Sequence, residues 1–78
     1  EELLENEQAL EIYQRLVEQY PENYLTAHAL FSIGRLSEQV DNVEGALEAY
    51  NRLEDEFPQS NWTKMGRNRI IELTIRSQ

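Results

Sequence analysis

Apolar residues recur every three to four positions early in the chain. Ala9, Leu10, Tyr13, Leu16, Val17 and Tyr20 fall on one side of a helical wheel, with polar residues on the other. The same spacing returns at Ala46, Leu47, Tyr50, Leu53 and Phe57, so both stretches read as amphipathic helices. Pro21 and Pro58 disfavour the α conformation in Tyr20 and Phe57, which ends each helix at or just before its aromatic residue. Beyond the prolines stand Asn23 and Ser60, whose side-chain oxygens can accept from an orphan N–H of a new helix. The polar run from Ser37 to Gly45 predicts a turn, and Asp41 with Glu44 has capping-box spacing for the next helix start. The expectation is an all-α chain of four helices, about 3–20, 24–39, 43–57 and 61–76, antiparallel because their connections are short.

The two amphipathic stretches are copies of each other. Setting each residue against the one 37 positions later aligns residues 9–21 with 46–58, and seven of thirteen positions are identical. Chance at ordinary composition gives on the order of one. The correspondence continues through Asn23/Ser60, Thr26/Thr63, Ile33/Ile70 and Leu36/Leu73. A fixed period of this length signals stacked repeats, each unable to bury its apolar face alone. Glu11 with Arg15 and Glu48 with Arg52 are expected to form i,i+4 ion pairs on the exposed faces.

Leu30, Ile33-Gly34, Ala46, Tyr50, Leu53 and Pro58 hold a spacing that resembles the tetratricopeptide repeat, a helix-turn-helix unit that stacks into a superhelix. Ser37 departs from the pattern where Tyr is usual, and Ile71 and Arg67 stand where the family carries Gly and a large apolar residue. The resemblance implies one domain over 1–78: residues 1–21 as the second helix of a preceding repeat, 24–58 as one full repeat, and 61–76 as the first helix of a following repeat. The chain would then be four antiparallel helices in stacked helical hairpins, a segment of an α-solenoid. Residues 20–34 and the longer period are similar to the extended repeats of bacterial envelope proteins, such as the Tol-Pal coordinator and the outer-membrane assembly lipoproteins. That subtype would imply the periplasm or cell envelope; otherwise the chain reads as cytoplasmic. Gly34 and Ala46 are small where the two helices of a hairpin must approach, and Tyr13, Tyr50, Leu16 and Leu53 are expected to fill the space between hairpins.

Composition narrows the function. With 78 residues there is room for one small core, and without cysteine there is no disulfide, thiolate nucleophile or thiolate zinc site. No run of apolar residues reaches a bilayer-spanning length, and no basic region precedes an apolar one at the start, so neither membrane insertion nor an export signal is expected within these residues. The net charge of −8 would repel phosphate backbones and argues against nucleic acid as a partner. That charge is uneven: residues 1–59 carry fourteen acids and three bases, whereas 60–78 carry Lys64, Arg67, Arg69 and Arg76 against Glu72. His28 is the only histidine and has no charged helical neighbour to share a metal, while Glu54, Asp55 and Glu56 lie in polar, solvated surroundings with nothing to raise a pKa toward acid/base work. No catalytic set, metal site or cofactor-binding motif is visible, and the chain reads as a non-enzyme.

The candidate site follows from repeat geometry. In stacked repeats the first helix of each hairpin lines a concave groove. On the second helix His28, Phe31, Arg35 and Glu38 sit one step off the core stripe; on the fourth Met65, Asn68, Arg69, Glu72 and Arg76 do. Phe31 stands out as a large apolar residue aimed away from the core served by Leu30 and Ile33, beside an arginine, as interface anchors often are. The family's carboxylate clamp uses Lys and Asn at groove positions held here by Phe31 and Arg35, so a protein or peptide segment bound by mixed apolar and polar contacts is the expected partner. The alternative is self-association into homo-oligomers through the repeat ends, with Leu3 and Leu4 at one edge, Ile71 and Ile75 at the other, and opposite charge setting a head-to-tail order.

Overall fold

The computed structural model describes residues 2–21 and 23–76, and among these every element is a helix: α1 (Glu2–Gln19), α2 (Tyr24–Gln39), α3 (Val43–Glu56) and α4 (Asn61–Arg76). The helices pack as hairpins in series, with α2 central against α1, α3 and α4. The side chains of Leu3 and Leu4, expected at one edge, lie outside the described residues.

The helix ends obey local chemistry. Tyr20 and Phe57 close α1 and α3 with N–H bonds to the carbonyls of Leu16 and Leu53, both at 2.9 Å, before the prolines stop the helices. Asn23 Oδ1 accepts from Leu25 N–H at 2.9 Å, and Ser60 Oγ accepts from Trp62 N–H at 3.1 Å, so both expected caps are in place. The third start differs from the capping box expected at Asp41. Asp41 has φ 61° and belongs to the end of α2: its N–H bonds to Glu38 O at 3.1 Å and that of Asn42 to Ser37 O at 2.8 Å. This is a Schellman ending with Asp in the left-handed position that glycine usually fills. Asn42 is the cap of α3, its Oδ1 accepting from Gly45 N–H at 3.0 Å. The connection is so short that one residue both finishes α2 and starts α3.

The core is built from small and medium side chains: Val17 on α1; Ala27, Ala29, Leu30 and Ile33 on α2; Ala46, Ala49, Tyr50 and Leu53 on α3; Leu73 on α4. Tyr50 is its largest fully buried member. A Cβ added to Gly34 would stand 2.5 Å from Tyr50 Cζ and 2.8 Å from Cδ1, and closer still to Cε1. Glycine is therefore what lets the Tyr50 ring lie across α2. A Cβ at Gly66 would meet Leu53 Cδ1 at 3.1 Å and Tyr50 Cδ1 at 3.2 Å, so glycines of both α2 and α4 lie against the ring.

Two buried threonines tie each hairpin to the next. Thr63 Oγ1 donates toward the carbonyls of Leu53, at 3.2 Å, and Phe57, and Thr26 Oγ1 donates to that of Tyr20. Both side chains are fully buried, and each adds a second bond to a carbonyl that already accepts a turn N–H, Tyr20 O from Asn23 and Phe57 O from Ser60. Of the expected surface pairs, Arg15 with Glu11 forms at 2.8 Å. Arg52 turns instead to Glu56, also at 2.8 Å, rather than to Glu48.

Candidate functional site

Along α2 the positions His28, Phe31 and Arg35 repeat at helical spacing and face α4, which brings Trp62 from its first turn to meet them. The His28 and Trp62 rings stack, with centroids 4.4 Å apart and 22° between planes. Phe31 lies against Trp62 at 5.3 Å and reaches Tyr50 at 5.7 Å, both in tilted arrangements favoured by ring quadrupoles. A continuous aromatic run therefore leads from the buried Tyr50 to the surface at His28. Phe31 is half-buried between two rings rather than turned wholly outward, because Trp62, 31 residues away, covers its edge. An open cavity of ≈ 340 Å³ runs along this face from Trp62, past His28, Phe31, Ser32 and Arg35, to Ala9 and Tyr13 of α1.

Beside the aromatics lies a charged knot centred on Glu38. The phenol of Tyr50 donates to Glu38 Oε2 at 2.5 Å, and Arg69 Nε donates to the same oxygen at 3.1 Å while its Nη2 donates to Oε1. Arg35 approaches at 3.7 Å, and Arg69 also holds Glu72 at 2.5 Å. Burial alone would raise the Glu38 carboxyl, but the hydrogen bonds from Arg69 and Tyr50 hold it below the ordinary value of 4.5. Burial and the adjacent Glu38 carboxylate push the Tyr50 phenol well above 10.0. Hydrogen bonding to Glu38 outweighs desolvation and raises the Arg69 guanidinium further. The knot spans α2, α3 and α4, and it fixes the angle at which α4 crosses α2.

Of the expected groove residues, His28, Phe31 and Arg35 share one cavity. Arg69 and Glu72 pair with each other at one side, with Arg69 committed to Glu38, while Asn68 is exposed on the next position of α4. Arg35 keeps 45% of its side chain accessible and is the cation that lines the cavity. Trp62 was not among the expected site residues. It sits at the very start of α4, before any helical stripe is established, and only the α2–α4 crossing carries it to His28. Ile71 and Ile75 lie one turn apart on α4, 55% and 64% exposed. The bases of α4 divide: Arg67 pairs with Glu54 on α3 and Arg69 with Glu38 on α2, so two of the four face the molecule's own acids. Among the described residues, no three acidic or His side chains converge as a metal cluster, and no helix is long and apolar enough to cross a membrane.

The sequence model of one family, described as tetratricopeptide repeat, matches residues 1–23 and 28–60, more than half of the chain. These segments take in α1, α2 from His28 onward and α3, with α4 beyond them. No curated protein and no solved structure gave a match.

Proposed function

Because this chain belongs to the tetratricopeptide repeat family, whose repeats generally mediate protein–protein interaction, we propose that it is a non-catalytic scaffold that holds a segment of a partner protein across the α2–α4 face. The observation that carries this reading is the open cavity floored by the His28–Trp62 stack and Phe31 with Arg35 at its rim. Rigid aromatic side chains give a partner a large apolar contact at low entropic cost, and the arginine adds a charge that selects an acidic residue beside an apolar one. On this reading Arg69 orients the floor through Glu38, and Asn68 and Glu72 offer polar contacts along α4.

A peptide-display selection against the intact chain tests it. Selected peptides should pair an apolar anchor with an acidic residue and lose about tenfold or more in affinity for the Arg35→Ala and His28→Ala chains. Peptides that bind Phe31→Ala/Arg35→Ala chains as tightly as the parent would refute the groove assignment.

The exposed Ile71 and Ile75 favour a second reading, self-association through the α4 end. Light scattering over a wide concentration range separates the two, since a monomer throughout leaves no role for those side chains in assembly. The 37-residue period further supports the envelope-type subtype. Fractionation of source cells with an antibody to the chain tests that, and recovery in the cytoplasm alone would reject it.

A further inference from the structure

On the far side of α2 from the groove lies a second opening. α1 and α3 both pack on α2, yet among the described residues they do not reach each other. Two cavities between them, of ≈ 280 and ≈ 370 Å³, share Gln14, Ile33 and Arg52 and so form one cleft. None of the residues that line it lines the groove. Its floor is the α2 stripe of Leu30, Ile33 and Ser37, which points away from His28, Phe31 and Arg35.

Ser37 sets this cleft apart from a plain apolar gap. It is one of three buried polar side chains, and Thr26 and Thr63, the other two, both donate to backbone carbonyls. The Ser37 hydroxyl bonds to no described residue. Since no described side-chain oxygen or nitrogen is sealed away without a partner, the 4% of Ser37 that stays accessible serves its oxygen inside the cavity. A tyrosine, usual in the family at this position, would project into that space; serine leaves it open with a hydrogen-bonding group at the bottom.

The walls add negative charge. Arg52 is held by Glu56 through Nε at 2.8 Å and Nη2 at 3.4 Å, so Glu48, at the edge of the cleft, is left without a base. Glu18 on the facing wall forms no ion pair with a described residue. Three carboxylates thus stand about one guanidinium.

We propose that the cleft between α1 and α3 is a second interaction site, which takes a protein segment bearing an arginine or lysine beside an apolar residue. The aliphatic stem of such a side chain matches Leu10, Leu30 and Ala49, and its N–H donors match the Glu48 carboxylate and the Ser37 oxygen. An acidic segment would set like charges against Glu18 and Glu48. The groove, with Arg35 at its rim, has the opposite preference, so the two faces can hold two different segments at once.

Titration of the ¹⁵N-labelled chain with capped heptapeptides tests the site, the probes being Gly-Ser-Leu-Arg-Leu-Ser-Gly and its counterparts with Gln or Glu in place of Arg. The arginine peptide should shift the Gly45 and Ala49 amide signals saturably, about tenfold more tightly than the glutamine peptide, and the glutamate peptide should not shift them. Glu48→Gln should weaken the arginine peptide about tenfold, whereas Asp55→Asn, which removes equal charge outside the cleft, should leave it unchanged. Ser37→Ala should weaken it severalfold without lowering the melting point, because the hydroxyl it removes has no bond to lose within the protein. The Phe31→Ala/Arg35→Ala chain should bind it as the parent does, so failure of the groove leaves this result standing. No saturation up to about 1 mM overturns the proposal. Equal weakening by Glu48→Gln and Asp55→Asn overturns it by reducing the effect to bulk attraction, and shifts confined to the Trp62 indole overturn it by moving the peptide to the groove.

Discussion

Replacing Gly34 by alanine sets two physical effects of opposite sign against each other. Helix propensity alone predicts a gain of roughly 1 kcal/mol, because alanine is the best helix former and glycine among the poorest. Packing predicts a loss. The new Cβ would lie 2.5 Å from Tyr50 Cζ and 2.8 Å from Cδ1, about 1 Å inside ordinary carbon–carbon contact. The ring has little room to move: it is fully buried, Phe31 lies at 5.7 Å, Gly66 of α4 also lies against it, and its hydroxyl is tied to Glu38 at 2.5 Å. Overpacking costs roughly 1–3 kcal/mol, and displacing a hydrogen bond to a charged group adds roughly 1.5–3 kcal/mol. After subtracting the propensity gain, the expected net loss is about 1.5–5 kcal/mol. Helical chains of this size without staples hold roughly 3–5 kcal/mol in total, so Gly34→Ala should leave the fold near its limit. Urea titration followed by circular dichroism at 222 nm is the assay, with thermal melting as a second readout. At about 4–8 °C per kcal/mol for a domain this small, the melting point should drop by at least about 6 °C. The double change Gly34→Ala/Tyr50→Leu should recover part of the loss by vacating the ring's space. A Gly34→Ala chain that melts at or above the parent temperature would refute the packing argument.

Further outcomes follow from the same geometry. Because the Glu38 carboxyl is held below its ordinary 4.5, its contribution is complete above that value and is lost as pH falls through the depressed one. The Tyr50 phenol is raised, so its contribution is complete below about 10 and is lost as pH climbs beyond it. Urea midpoints across pH should decline on both flanks, and Tyr50→Phe should flatten the alkaline decline; an unchanged alkaline slope would break that link. Asp41→Gly should stabilise by about 0.5–1 kcal/mol, since Asp41 holds a left-handed φ of 61°. Asn42→Ala should cost about 1 kcal/mol through the lost α3 cap, and the reverse ordering of these two midpoints would contradict the assignment of the α2–α3 turn. Arg69→Ala should lower the melting point clearly more than Arg67→Ala, because Arg69 ties α4 to a largely covered carboxylate whereas the Arg67–Glu54 pair is screened by solvent. Equal effects would deny the knot its role in holding α4.

Most of this protein's architecture is legible in one dimension. The apolar spacing, the prolines after Tyr20 and Phe57, and the caps at Asn23 and Ser60 set four helices and their ends, since each depends on residues within a few positions of one another. The 37-residue repeat added the order in which helices pack, because two copies of one pattern must solve the same burial problem in the same way. Asp41 marks where local reading runs short. Its capping-box spacing with Glu44 is real, but the Schellman ending of α2 claims it first, and Asn42 becomes the cap. Arg52 likewise had carboxylates four residues away on both sides, and only the packed helix selected Glu56. The candidate site depended still more on distance along the chain. Phe31 and Arg35 were visible as off-stripe residues of one helix, whereas the stack of Trp62 on His28 and the joining of Tyr50, Glu38 and Arg69 each need helices separated by a turn or more to cross at a particular angle. Propensity, capping and periodicity act over a single helical turn, so the sequence alone determined the helices and their repeat. Crossing angles arise from side chains interlocking between helices, and for that reason only the tertiary structure decided which residues share the groove and which line the cleft between α1 and α3.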